Sequence, residues 1–164
     1  MAWHTPATFV TGNPITATVL NNISDDLSYL KAPPTAHFEA DESSDYTITS
    51  TSFVDVDATA GKFSLTITTA GGDVMVGFHG SVNQAGARVY FDVDVDGARV
   101  AGNDGILYLD ADGPVSFVRL ITGLSAAAHI FKLQWKLSAG SAVMYAGAGT
   151  SSYDLHPQFW VREI

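Results

Sequence analysis

The chain reads as an all-β sandwich or barrel preceded by one short helix. Three observations predict this. Apolar residues recur with period 2 through most of the sequence after Thr35, and Gly, Asp and Pro turn signals separate the alternating runs. A helical period occurs once, before Pro33-Pro34. Eight or more short strands with no second helix fit two packed sheets or a closed barrel.

Residues 1–15 are extended and turn-like, broken by Pro6, Gly12-Asn13 and Pro14. Thr16 is placed to cap a helix, because its hydroxyl can accept from a free amide of the first turn. Leu20, Ile23, Leu27 and Leu30 then recur at spacings of three, four and three, with Leu20 and Leu27 at a and Ile23 and Leu30 at d. Leucine at a with isoleucine at d leans towards assemblies above the dimer. A helix of about 16 residues is marginal alone in water, so it docks on another copy or on its own domain. Pro33-Pro34 ends it and stiffens the exit, dividing residues 1–33 from a domain of residues 34–164.

Strand patterns then follow in order. Phe38, Tyr46 with Ile48, and Phe53 to Val56 begin them, and Lys62 to Thr68 alternates cleanly into a Gly71-Gly72-Asp73 turn and Val74 to Phe78. From Arg88 to Val95 the valines and Phe91 share one face, with Arg88, Tyr90, Asp92 and Asp94 on the other. Asp96-Gly97 is the strongest hairpin signal in the chain. Ile106 to Leu109, Val115 to Ile121 and His129 to Leu137 are further strands, and Ala142 to Tyr145 and Gln158 to Arg162 are the last two. Gly, Ala and Ser crowd 138–152, which reads as a hairpin with a mobile loop.

Composition narrows the function. A chain of 164 residues suits one domain with a short extension and can bury a core without staples. With no cysteine, neither disulfides nor thiolate sites hold it. Hydrophobic residues make up 46% and charged residues 15%, a low charge for a monomer that solvates its whole surface, which points to an oligomer. A net charge of −9 disfavours nucleic acid and anionic membranes as partners. No signal peptide or membrane span is legible. Thirteen of the seventeen acids lie between Glu39 and Asp112, whereas Gly113 to Tyr153 carries only Arg119, Lys132 and Lys136. These are solvated strand faces, or an acidic face that meets a basic one between subunits.

Candidate chemistry is sparse. Asp92-x-Asp94-x-Asp96-Gly97 opens like a calcium loop, but its twelfth position is Asn103, where a bidentate Glu is needed. A hairpin with a solvated acidic face is the expectation, with Asp92, Asp94 and Asp96 as the candidate metal ligands. No two histidines have metal-ligand spacing, and His129 alternates with core residues, so a hydrogen-bonded buried histidine is expected there. His79-Gly80-Ser81 sets a base beside a nucleophile, but neighbouring strand residues point to opposite faces. No catalytic residue and no cofactor are expected. Trp135 and Trp160 read as core or interface, while Tyr29, Tyr108, Tyr145 and Tyr153 reach a surface where tyrosines stack on sugars.

The run Trp3-x-Thr5-Pro6-x-Thr8-Phe9-Val10-x-Gly12, with Thr16-Ala17-Thr18-x-Leu20-Asn21 and Asp25-x-Leu27-x-Tyr29-Leu30-Lys31, resembles the N-terminal segment of tailed-bacteriophage minor structural and fibre proteins. His129-x-Phe131-x-Leu133-Gln134-Trp135-Lys136, a Gly/Ala-rich hairpin and the terminal Phe159-Trp160-Val161 resemble the end of a jelly-roll head of the tumour-necrosis-factor and C1q type. The resemblances imply a trimeric jelly-roll β-sandwich in a virion, attached through Trp3, Pro6 and Phe9, with the Leu20, Ile23, Leu27, Leu30 stripe between copies. Its partners would be itself, other virion proteins and a host surface glycan. The expected role is a fibre or spike head that binds the host. The alternatives are a capsid decoration protein that clamps the shell and, from another class, a carbohydrate-active enzyme.

Overall fold

Alternating apolar residues bury one face of a strand, and two such faces packed together make a core. The computed structural model describes residues 4–5, 7–12, 14–147 and 155–164, with the side chain of Lys31 left out. One helix, α1 (Ala17–Lys31), precedes the strands β1 (Thr35–Glu39), β2 (Tyr46–Ile48), β3 (Val54–Asp55), β4 (Ser64–Thr68), β5 (Gly72–Gln84), β6 (Val89–Val95), β7 (Ala98–Arg99), β8 (Leu107–Leu109), β9 (Gly113–Leu124), β10 (Ala128–Leu137), β11 (Ala142–Met144) and β12 (Gln158–Glu163). The predicted strands are all present, with shifted bounds. The alternating run at Phe53 to Val56 forms a ladder only at Val54–Asp55, and the run at Val115 to Ile121 extends to Gly113–Leu124.

The strands form two antiparallel sheets, a β-sandwich. In the first, long β5 pairs with β9 along one edge and with β12 and then β11 along the other, and β1 and β2 lie outside those two. In the second, β10 is flanked by β4 and β3 on one side and by β6 on the other, with β8 and β7 beyond β6. Between the sheets, Phe63 meets Phe38, Tyr46 and Phe78 edge-on at 5.1, 5.3 and 6.3 Å. Phe78 of the first sheet stacks on Phe91 of the second at 5.3 Å, and Phe91 leads to Trp135 at 6.2 Å. All of these except Phe38 and Tyr46 are buried, each large side chain contributing about 1.5–3 kcal/mol of transfer free energy.

Helix α1 begins as its sequence dictates. Thr16 accepts from the Val19 amide at 3.4 Å, and the Ala32 amide closes the last turn on Ser28 O and Tyr29 O before Pro33-Pro34 stops it. The helix borders the sandwich at this end, where Tyr29 and Leu30 line a depression together with Trp160, Arg162 and Glu163. Among the described residues no helix is long and apolar enough to cross a membrane.

Candidate functional site

The Asp92, Asp94 and Asp96 series departs from expectation. Asp92 and Asp94 do point away from the core, as the alternation requires, but they are not solvated: Asp92 is 0% exposed and Asp94 7%. The reason is the excursion after the Asp96-Gly97 turn, which folds back over β6 through Val100 N to Val93 O and Ile106 N to Phe91 O. Asp92 Oδ1 accepts from the amides of Val93 and Ala101, and Asp94 Oδ1 accepts from the Gly97 amide. Asp92 Oδ2 is buried and meets no donor among the described residues. Burial pushes the Asp92 carboxyl up, and its two amide bonds oppose this. Among the described residues no three His, Cys, Asp or Glu side chains converge as a metal ion requires.

Asp96 serves a different purpose. With Gly97 it makes the turn, both at positive φ (53° and 91°), and its carboxylate spans to β10. There Oδ1 accepts from the Ile130 amide at 2.8 Å and Oδ2 meets His129 Nδ1 at 2.6 Å. His129 is buried as expected, and its Nε2 lies 3.0 Å from Ser125 O. The Asp96 contact holds the imidazole above its usual range, and the His129 contact holds Asp96 below its own. His79 is exposed on β5 and, contrary to the expectation of opposite faces, Ser81 shares its face, because side chains two residues apart on a strand lie on one side.

Two further carboxylate clusters connect segments. Glu42 and Asp57 share Tyr46 Oη, at 3.3 and 3.2 Å, and Lys62 Nζ, at 2.7 and 3.6 Å. The amide and hydroxyl of Thr59 are the largest influences that hold Asp57 below its usual range, against its burial. Glu163, buried at the end of β12, accepts twice from the Ala70 amide, at 2.8 and 3.0 Å. Burial first, and Glu163 second, push the Tyr29 hydroxyl up to about 12. These groups bind backbone and cations already present in the fold, which suits a staple.

Among the described residues the helix stripe is covered only in part. Leu20, Ile23, Leu27 and Leu30 are each between 43% and 61% exposed, although leucine and isoleucine at a and d positions are sealed in a working seam. The N-terminal arm lies along the helix, its His4 contacting Asp26 through both amide and ring, and it leaves a trough of about 240 Å³ against Ile23, Leu27 and Leu30. Phe9 is exposed on that arm; Trp3 and Pro6 lie outside the described residues, as does Tyr153.

Each sheet also presents an outer face. On the first, the register sets His37, Trp160, Gly77 and Val118 in one row, and Thr35, Arg162, Met75 and Leu120 in the next. Trp160 is half-buried and covers Gly77, whose missing side chain makes room for the indole. Val118 and Leu120 are exposed on β9, which among the described residues pairs only with β5.

On the second, a cleft of about 500 Å³ opens over Phe53 between β10, β7 and the segment before β3. Thr51, Ser52, Asp94, Asn103 and Gln134 supply its polar lining. Arg99 and Lys136 lie 4.6 and 4.9 Å from the Phe53 ring, and Lys136 is also 4.9 Å from Tyr90. Tyr90 meets Tyr108 at 5.7 Å, and Arg88 lies 5.1 Å from Tyr108. The sequence marked Tyr108 as a surface tyrosine, and it is exposed, but Phe53, Arg88, Arg99 and Lys136 were not singled out. The one available signal is the polar face of β10, Lys132, Gln134 and Lys136, which faces Asp94, Asp92 and Tyr90 once the register is known. No protein-family model matches the chain, and no curated protein matches it either.

Proposed function

We propose that this protein is a trimeric structural component of a bacteriophage virion, a fibre or spike head that binds a host surface. Residues 1–33 attach it to the particle, and residues 34–164 form the head. The observation that carries this reading is the largely exposed seam of Leu20, Ile23, Leu27 and Leu30 on a helix that borders its own sandwich at one end. Exposed apolar stripes of this kind mark association, and a heptad seam is complementary to copies of itself.

The jelly-roll topology is part of the same reading, and the pairing order supports it. Taking the eight main strands β1, β4, β5, β6, β8, β9, β10 and β12 in sequence, the first pairs with the last. The second pairs with the seventh, the third with the sixth and the fourth with the fifth. A chain folded once as a long hairpin and then rolled gives this nesting, with sheets β1-β12-β5-β9 and β4-β10-β6-β8.

The outer face of the first sheet supports the trimer. Val118 and Leu120 are exposed on a long edge strand, a hazard unless another chain covers it. Met75 and Trp160 of that face and Leu30 of the helix line one depression, so seam and sheet are continuous. Sedimentation equilibrium tests the assembly: a mass of three times 17.4 kDa is expected, and a concentration-independent monomer overturns it. Immunogold labelling of the parent particle tests the role. Label at the tips of fibres or spikes is expected, and label spread evenly over the shell replaces the host-binding head by a decoration protein.

A further inference from the structure

We propose that the cleft over Phe53, with the row of cations and aromatic rings beside it, binds an anionic polysaccharide whose sugars carry carboxylates. The identity of the ligand's bearer, a host surface, rests on the adhesive reading above; the chemistry of the site does not.

Charge distribution is the first argument. The chain has 17 acids against 8 lysines and arginines, and three of those cations gather on the outer face of the second sheet. Lys62 and Lys132 pair with carboxylates, at 2.7 Å from Glu42 and 3.0 Å from Asp55. Among the described residues, Arg88, Arg99 and Lys136 form no ion pair, like Arg119 and Arg162, but these three share one face. Their hydrogen-bond and ring partners are neutral. Arg99 donates to Asn103 Oδ1, Lys136 donates to the Asn103 carbonyl, and all three lie over aromatic rings. Ring quadrupoles and amide oxygens hold a cation in place without cancelling its charge. Asp110 is near enough to Arg88 to favour its charged form, and Arg99 has Asp94 opposite it across β6 and β7 and favours the charged form of Asp92. Lys136, opposite Tyr90 rather than a carboxylate, carries the positive charge most open to a ligand, with Arg99 beside it across the Phe53 ring.

The lining is the second argument. A bare polyanion site needs cations only. Here hydroxyls at Thr51 and Ser52, amides at Asn103 and Gln134, and the Asp94 carboxylate stand around the same cleft. Sugar hydroxyls both donate and accept, and this mixture serves them, whereas the backbone of a DNA strand has no hydroxyl to donate to the Asp94 carboxylate or the amide oxygens. Tyr108 is exposed at the end of the row and offers a flat apolar face to the C–H side of a sugar ring. The volume of about 500 Å³ lies within the range of small-ligand pockets of about 300–1,000 Å³.

Isothermal titration calorimetry on the full chain tests this with three probes: oligogalacturonate, the same oligomer with its carboxyls reduced to alcohols, and oligo-dT. Binding of oligogalacturonate alone, weakening with salt, is expected. Arg99→Gln and Lys136→Gln should each weaken it about tenfold, the loss of one charge-assisted hydrogen bond. Tyr108→Ala, an exposed position outside the core, should weaken it with an unchanged melting temperature. No binding of oligogalacturonate, equal binding of the reduced oligomer, equal binding of oligo-dT, or wild-type affinity in folded variants overturns the proposal. Fluorescently labelled protein on host cells separates the two readings. Cell binding without oligogalacturonate binding retains the adhesive head and removes this site; oligogalacturonate binding without cell binding does the reverse.

Discussion

At the scale of the residue, packing and pairing give separable predictions. Trp135 is buried against Phe91 on the inner face of β10, so Trp135→Ala removes a large aromatic that its neighbours cannot replace. A loss of about 3–5 kcal/mol is expected from denaturant unfolding, and an unchanged midpoint would contradict the packing. The His129–Asp96 pair predicts a pH profile. The raised imidazole stabilises the fold fully below the usual histidine value of 6.5, and that contribution disappears as pH rises through the raised value. The lowered carboxyl stabilises it above the usual 3.8, and that contribution disappears as pH falls through the lowered value. The pair is therefore at full strength between these limits. The Asp96 side chain is 46% exposed, so solvent screening keeps the effect modest. Asp96→Asn preserves the turn, because Asn-Gly suits it equally. Wild type should exceed this variant most between pH 4 and 6.5, the gap narrowing towards pH 9 in urea titrations.

At the scale of the element, β5 and β12 depend on one missing side chain. A Cβ at Gly77 would lie 2.2 Å from the Trp160 indole, a distance that no contact tolerates. Gly77→Ala must lift the indole off the sheet, at about 1–3 kcal/mol for overpacking. Changed near-ultraviolet dichroism with a lower denaturant midpoint is expected; an unaltered spectrum would mean that Trp160 does not rest there. Helix α1 shows the opposite condition. Its cap and stop are complete, yet its apolar stripe stays largely exposed, so local sequence forms the helix without burying its apolar face.

At the scale of the whole molecule, the sandwich closes its core without the helix. Among the described residues the buried apolar ones all lie in residues 40–161, and the end of the helix borders the sandwich at Tyr29 and Leu30. A chain starting at Pro34 should fold, with the dichroism of the sandwich intact, and stay trimeric through the outer face of the first sheet. It should melt somewhat lower, since Met75 and Trp160 lose the cover of Tyr29, Leu30 and Pro33 while Glu163 keeps the Ala70 amide. Sedimentation and thermal scans check both points. An insoluble truncated chain would make the Leu20 to Leu30 stripe part of the fold's own stability, and a folded monomer would make it, rather than the outer face of the sheet, the seam between copies.

Period and turn chemistry by themselves determined the all-β class, the single capped helix, the Asp96-Gly97 turn, and the inward rows that bury Phe91, Trp135 and His129. These are local properties: alternation follows from the two faces of a strand, and a cap or a positive-φ turn from a few adjacent residues. Which strands pair, and what covers an outward face, depends on contacts far apart in the chain, and only the tertiary structure decided them. Asp92 and Asp94 were legible as outward and misread as solvated, because the segment that buries them returns from residues 100–106. The aromatic and basic row was invisible for the same reason. Phe53, Tyr90, Arg99 and Lys136 come from four separate segments, and nothing but the register of β6, β7, β10 and the approach to β3 sets them side by side.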